Sequence, residues 1–145
     1  MHKRWRLDTQ FGQEKIVMDD IKQLFSASAP FNERVDDMMT AVAEACLNAF
    51  EHGNRMRAEA HVLVEMTGQN DKILFRVTDE GTGFPYSPAM ARERAAVPAA
   101  KNDSADRGWG VMLINNLADS VRTGFENDRF FMEMHFLLRE RVHHA

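Results

Sequence analysis

Two stretches with helical spacing are followed at once by two short strand-like runs, and that order leaves few architectures open. From Gln13 to Ala27 the apolar residues are Ile16, Val17, Ile21, Leu24 and Phe25, which predicts a helix that Pro30 closes. A second helix is expected from about Asn32 to Glu51. Its buried stripe runs through Val35, Met38, Met39, Val42, Cys46 and Phe50, and Gly53-Asn54 supplies the stop. The runs His61 to Thr67 and Lys72 to Thr78 flank Gly68-Gln69-Asn70-Asp71 and read as an antiparallel hairpin.

The stretch from Asp79 to Arg107 is irregular and holds Pro85, Pro88 and Pro98. A loop of that length inside a compact domain is often a functional lid. Helical spacing resumes at Gly110 with Val111, Leu113, Ile114 and Leu117. Strands are then expected at Ser120 to Phe125 and Arg129 to Leu138, around a turn at Glu126-Asn127-Asp128. A short edge strand is expected at Arg4 to Gln10. Helices segregated from a largely antiparallel sheet make a two-layer α+β sandwich.

The chain has 145 residues, which suits a single domain spanning 1–145. At 44% hydrophobic and 28% charged it reads as globular, and a formal net charge of −4 argues against a direct nucleic-acid partner. No apolar run approaches the roughly 20 residues that span a bilayer, and the start lacks a signal-peptide core. Cys46 is the single cysteine and cannot form an intramolecular disulfide, so it reads as a small buried hydrophobe in a cytoplasmic protein.

Three short motifs carry chemistry. In the second helix Glu44, Asn48 and His52 are spaced by four and share one face. A carboxylate there can take a proton from an attacking hydroxyl, and a carboxamide oxygen is a hard ligand suited to Mg²⁺. After the hairpin, Asp79-Glu80-Gly81-Thr82-Gly83 sets an acid at a strand end before two glycines. The acid can accept from an amino group while the glycines let backbone approach a ligand. Gly108-Trp109-Gly110 then opens an apolar helix, whose first N–H groups suit phosphate. Each motif alone could be a polar face or a plain turn. The last is neither a Walker loop nor a dinucleotide fingerprint.

Taken in order, Glu44-x-x-x-Asn48-x-x-x-His52-Gly53, Asp79-x-Gly81-x-Gly83 and Gly108-x-Gly110 resemble the N box and the two glycine boxes of the GHKL (Bergerat-fold) ATPases. Within that superfamily, the phrasing Val42-Ala43-Glu44-Ala45, Asn48-Ala49 and His52-Gly53 is most similar to the bacterial anti-sigma-factor serine kinases. The resemblance implies a mixed, mostly antiparallel sheet with helices on one face, and a pocket for ATP and Mg²⁺. It implies Asn48 as the magnesium ligand, Glu44 as general base and Asp79 as acceptor from the adenine amino group. Gly81 and Gly83 would line the nucleotide, and Gly108 and Gly110 would hold its phosphates.

Arg107 stands directly before Gly108, where it would touch the γ-phosphate or a partner. Trp109 is bulky for a residue between two glycines. Implied partners are an anti-anti-sigma (STAS) protein, a sigma factor and a second copy of the chain.

Three functions fit the resemblance: a serine kinase acting on the STAS protein, a binding module that uses ATP only to set its shape, and a detached histidine-kinase catalytic domain. Glu44 favours the first over the second, and the missing dimerisation helix argues against the third. His52 reads as a cap or packing residue, with phosphate contact as the alternative. Arg92, Arg94 and Lys101 make the loop basic, for phosphate, an acidic partner or solvent. The methionines at 38, 39, 112, 132 and 134 are expected in the core.

Overall fold

A computed structural model describes residues 1–25, 34–81 and 112–138. Strand β1 (His2–Asp8) leads into α1 (Glu14–Phe25). Helix α2 (Val35–Asn48) then continues as a π-helical turn (Ala49–Gly53). Strands β2 (His61–Gln69) and β3 (Lys72–Thr78) follow, and β4 (Ser120–Glu126) and β5 (Arg129–Leu137) come last. Residues 112–117 are helical. Pro30, Asn32 and the expected lid from residue 82 to residue 107 lie outside the described residues, as do Trp109 and the basic residues Arg92, Arg94 and Lys101.

The five strands run in the order β1-β2-β3-β5-β4, and every described pairing is antiparallel rather than mixed. Alternation along each strand separates two faces. Trp5 and Leu7, Val62, Val64 and Met66, Ile73, Phe75 and Val77, and Met132, Met134 and Phe136 all point to one side and are buried. Against them pack Val17, Ile21 and Phe25 of α1 and Met38, Val42 and Cys46 of α2. Each such side chain contributes about 1.5–3 kcal/mol on burial. Of the methionines expected inside, Met38, Met132 and Met134 are buried, and Met39 packs against the cluster from its edge. Cys46 is fully buried, and burial, with the Glu14 charge second, pushes its thiol pKa up, as befits a packing residue.

Both hairpins and the first strand differ from the sequence reading at their boundaries. Asn70 adopts a left-handed φ of 41°, so two residues turn the first hairpin, and Gly68 and Gln69 join β2 opposite Ile73 and Lys72. Asn127 and Asp128 turn the second hairpin in the same way, with φ of 54° and 64°. Strand β1 starts two residues earlier than expected and ends at Asp8, because the chain breaks into a turn there, with Gln10 N–H donating to Asp8 O.

The other face of the sheet carries a row of alternating charge, Arg4, Glu65, Arg76, Glu133 and Arg122, directly opposite one another across five strands. Arg4 meets Glu65 at 3.3 Å, and Glu133 sits between Arg76 at 2.6 Å and Arg122 at 2.8 Å. Burial alone would raise the Glu133 pKa, but hydrogen bonds and charge from Arg76 and Arg122 outweigh it and hold it below the usual carboxylate value. The Arg76 guanidinium also lies 4.0 Å from the Phe131 ring centroid.

Arg34, just before α2, is 8% exposed and ties that helix to the last strands. Its guanidinium donates to Leu137 O (2.8 Å), Leu117 O (3.0 Å) and Asp119 Oδ2 (3.1 Å). Replacing it with Met would leave two carbonyls and a carboxylate without this donor. Arg34→Met is therefore expected to lower unfolding free energy by about 3 kcal/mol in urea titrations, the scale for breaking a buried ion pair. An unchanged urea midpoint would show that water replaces these bonds at no cost.

Candidate nucleotide site

The site grows from the junction where α2 ends and β3 leaves the sheet. The last turn of the long helix widens, with Asn54 N–H donating to Ala49 O at 2.7 Å, five residues back. Such π-turns recur at functional sites. The turn ends at Gly53, whose missing side chain is required. A Cβ there would overlap the Asp79 carboxylate, and a Cβ on Gly81 would overlap the Gly53 carbonyl. Gly53 and Gly81 thus let the end of the π-turn and the exit of β3 meet at contact distance.

Asp79 is 2% exposed at the exit of β3. Its N–H donates to Phe130 O (3.0 Å), and its Oδ1 accepts from Gly81 N–H (2.8 Å). Burial pushes its pKa from 3.8 up to about 6, against the lowering effects of the Gly81 N–H and the Arg57 charge. A poorly hydrated carboxylate is a strong acceptor for an incoming N–H donor.

Asn48, 2% exposed on the last turn of α2, lines the same small pocket as Asp79. Ala45, Ala49, Val77 and Met132 form its apolar walls. The two alanines of the helix thus face apolar residues of the sheet, with Asn48 and Asp79 at the polar edge. Glu44 lies half-buried one turn before Asn48. His52 is half-buried in the π-turn, beside Gly53. The structure thus brings Asn48, Asp79 and Gly81 together. Gly83, Arg107, Gly108 and Gly110 lie outside the described residues.

No cluster of three or more His, Cys, Asp or Glu able to hold a metal occurs among the described residues. The neutral Asn48 carboxamide beside the Asp79 pocket instead fits a hard cation that takes most of its ligands from phosphate and water. A larger open cavity of about 430 Å³, lined by Arg6, His61, Leu63, Glu80 and Arg129, lies elsewhere, and neither Asp79 nor Asn48 lines it.

Sequence reading treated Gly53-Asn54 as a helix stop and gave Arg57 no role. Gly53 is in fact the floor under Asp79. Asn54 is fully buried, and its Oδ1 accepts from Glu80 N–H at 2.7 Å. Arg57 reaches Glu80 O at 3.4 Å. The signal available was a fully polar Asn directly after a glycine at a helix end, which a plain helix stop also explains.

This fold and pocket define an ATP-binding domain. Residues 11–129 match the family model of the histidine kinase-like ATPase domain, and the chain belongs to that family. It is 28% identical over 118 residues to the serine-protein kinase RsbW of Bacillus licheniformis, covering 74% of this chain and 68% of that protein. Against RsbW of Bacillus subtilis the identity is 26% over 113 residues, covering 77% of this chain and 71% of that one.

Two solved structures share the fold. The RsbU and RsbW domains of a Mycobacterium tuberculosis protein superpose with a TM-score of 0.64 at 14% identity, over 94% of this chain and 32% of theirs. The SiaB–SiaC complex of Pseudomonas aeruginosa gives 0.66 at 12% identity, over 92% of this chain and 88% of the matched one. No helix among the described residues is long and apolar enough to cross a membrane.

The buried Asp79 carboxylate sets up a stability test. With its folded pKa raised, the folded state holds a proton between about pH 6 and 3.8 that the unfolded state has lost. Ionised Asp79 therefore costs stability above about pH 6, and the cost is relieved as pH falls through 6 towards 3.8. Asp79→Asn keeps the acceptor for Gly81 N–H and removes the charge. It is expected to stabilise the protein by about 2–3 kcal/mol at pH 7.5, the scale of a carboxyl pKa moved from 3.8 to about 6. Thermal unfolding should show that gain shrinking towards pH 4.5. A variant less stable than wild type at pH 7.5 would refute the account.

Proposed function

We propose that this chain is an ATP- and magnesium-dependent serine protein kinase that phosphorylates an anti-anti-sigma (STAS) protein and sequesters a sigma factor. The observation that carries this reading is the meeting of buried Asp79 and the α2 residue Asn48 in one pocket, with Glu44 one turn away. The family membership supports ATP as the nucleotide. The names of the RsbW relatives support serine as the acceptor and the protein-kinase class.

In this reading Asp79 accepts from the adenine amino group, and Gly81 keeps the strand exit open to the purine. Asn48 holds Mg²⁺ through its carboxamide oxygen. The metal, when bound, neutralises phosphate charge and aligns the transferring group. Gly108 and Gly110 bring N–H groups to the phosphates, with Gly83 and Arg107 beside them. Glu44 takes the proton from the serine hydroxyl as its oxygen bonds to the γ-phosphorus and ADP departs. The unphosphorylated STAS protein draws the kinase off the sigma factor, and phosphorylation releases that protein and lets sigma be sequestered. The protein acts in the cytoplasm. A binding module without phosphotransfer would have no use for Glu44.

The test is transfer of label from γ-labelled ATP to STAS-domain proteins of the same organism. Wild type is expected to label one serine. Glu44→Gln is expected to bind ATP within a few-fold of wild type but to transfer about 10²-fold more slowly, the scale of general-base loss. Asn48→Ala should weaken nucleotide binding more with magnesium than without it. Full transfer by Glu44→Gln would remove that residue from the mechanism, and no labelling by wild type would favour the binding module.

A homodimer completes the reading, since β1 is an edge strand and offers one side of its backbone to a second copy. Light scattering at micromolar concentration is expected to return twice the 16.6 kDa chain mass. A monomer mass would refute it.

A further inference from the structure

Between β3 and the end of the described loop, three successive N–H groups are each tied down. Asp79 N–H donates to Phe130 O, Gly81 N–H to Asp79 Oδ1, and Glu80 N–H to Asn54 Oδ1 at 2.7 Å. The first bond continues the sheet and the second is local. The third is a side chain from another segment reaching in, and it sets the direction in which the strand leaves.

Asn54 is itself immobilised. It is fully buried, and its Nδ2 donates to Thr9 Oγ1 (2.8 Å) and to His61 O (3.0 Å). Thr9 passes the bond on to Ala60 O at 2.7 Å. Both amide protons and the amide oxygen are therefore used, which also fixes which end of the carboxamide is oxygen. The turn behind it is strained: Arg55 and Met56 both take left-handed φ values, 53° and 56°. Such conformations persist where surrounding contacts over-determine them. Here they bring Arg57 back to donate to Asn54 O through N–H and Nε, both at 3.0 Å, while its Nη2 reaches Glu80 O at 3.4 Å. Arg57 in turn lowers the Asp79 pKa. Glu80 is held from its far end too, its Oε2 accepting from His61 N–H at 2.7 Å.

We propose that Asn54 is a positioning residue for adenine recognition, which by holding Glu80 N–H aims the neighbouring Asp79 carboxylate into the purine pocket. The proposal rests on the reading of Asp79 as the acceptor for the adenine amino group. Without the Asn54 oxygen, Glu80 N–H is free to rotate the peptide joining it to Asp79. The carboxylate then loses the alignment on which a single hydrogen bond depends. The phosphates, bound elsewhere on the chain, are unaffected. The signature is thus a change in base selectivity, which general destabilisation does not produce.

The experiment measures binding of ATP and of inosine 5′-triphosphate (ITP), whose purine lacks the exocyclic amino group, by calorimetry with magnesium. Wild type is expected to prefer ATP by about tenfold or more, the value of one well-made hydrogen bond to a charged acceptor. Asn54→Ala is expected to bring that preference to within about threefold by weakening ATP and leaving ITP nearly unchanged.

Asn54→Asp keeps the oxygen that accepts from Glu80 N–H and loses the donors to Thr9 and His61. It is expected to melt lower yet hold its preference within about twofold of wild type. It also keeps the question answerable where the alanine variant fails to fold. A selective wild type with an equally selective Asn54→Ala would overturn the role of Asn54. So would a loss of selectivity in Asn54→Asp. A wild type indifferent between ATP and ITP would overturn the reading of Asp79, and the proposal with it.

Discussion

A carboxylate kept out of water at the end of a strand is costly unless its surroundings are built for it, and around Asp79 they are. Gly53 removes the side chain that would displace it, Gly81 lets the chain pass the Gly53 carbonyl, and Gly81 N–H satisfies one oxygen. What remains is an acceptor with its pKa pushed up to about 6, facing a pocket whose other walls are apolar apart from Asn48. The Gly81 N–H and the Arg57 charge offset this desolvation only in part. Strain of this kind belongs to binding sites rather than to the stability of the fold.

The rest of the sheet keeps that strand end in place. β3 lies in the middle of the sheet, with β2 on one side and β5 on the other. Ile73, Phe75 and Val77 anchor it to the helices from one face, and Arg76, between Glu133 and the Phe131 ring, anchors it from the other. A strand gripped on both faces ends where its last pair dictates. At the N-terminal end of α2, Arg34 binds the carbonyls of Leu117 and Leu137, so the helix bearing Glu44 and Asn48 is fixed to the same sheet. Helix and strand meet at the pocket because both are tied at their distant ends.

Much of this was legible along the chain. Helical spacing located α1 and α2, and alternation located four strands, because amphipathic elements display their buried face as a period. Of the residues named from the motifs, the fold brings Asn48, Asp79 and Gly81 together at one small pocket. The misplacements were small and local. Gly68 was assigned to a turn because glycine usually marks one, but Asn70 supplies the left-handed residue and frees Gly68 for the strand. The π-turn at Ala49–Gly53 was invisible, since widening a helix by one residue leaves no mark on an apolar stripe about to end.

By itself the sequence determined where the helices and strands lie and which polar residues they carry, because residue type and period are properties of neighbours in the chain. Only the tertiary structure decided what Gly53 and Asn54 do. Asn54 lies 45 residues from Thr9 and 26 from Glu80, its two side-chain partners outside the adjoining loop. Its role exists only where those segments converge. The same holds for the row from Arg4 to Arg122, five charges that read as ordinary surface until strand register sets them side by side. Contacts between distant segments are set by close packing of the whole core, and packing is a property that no local pattern records.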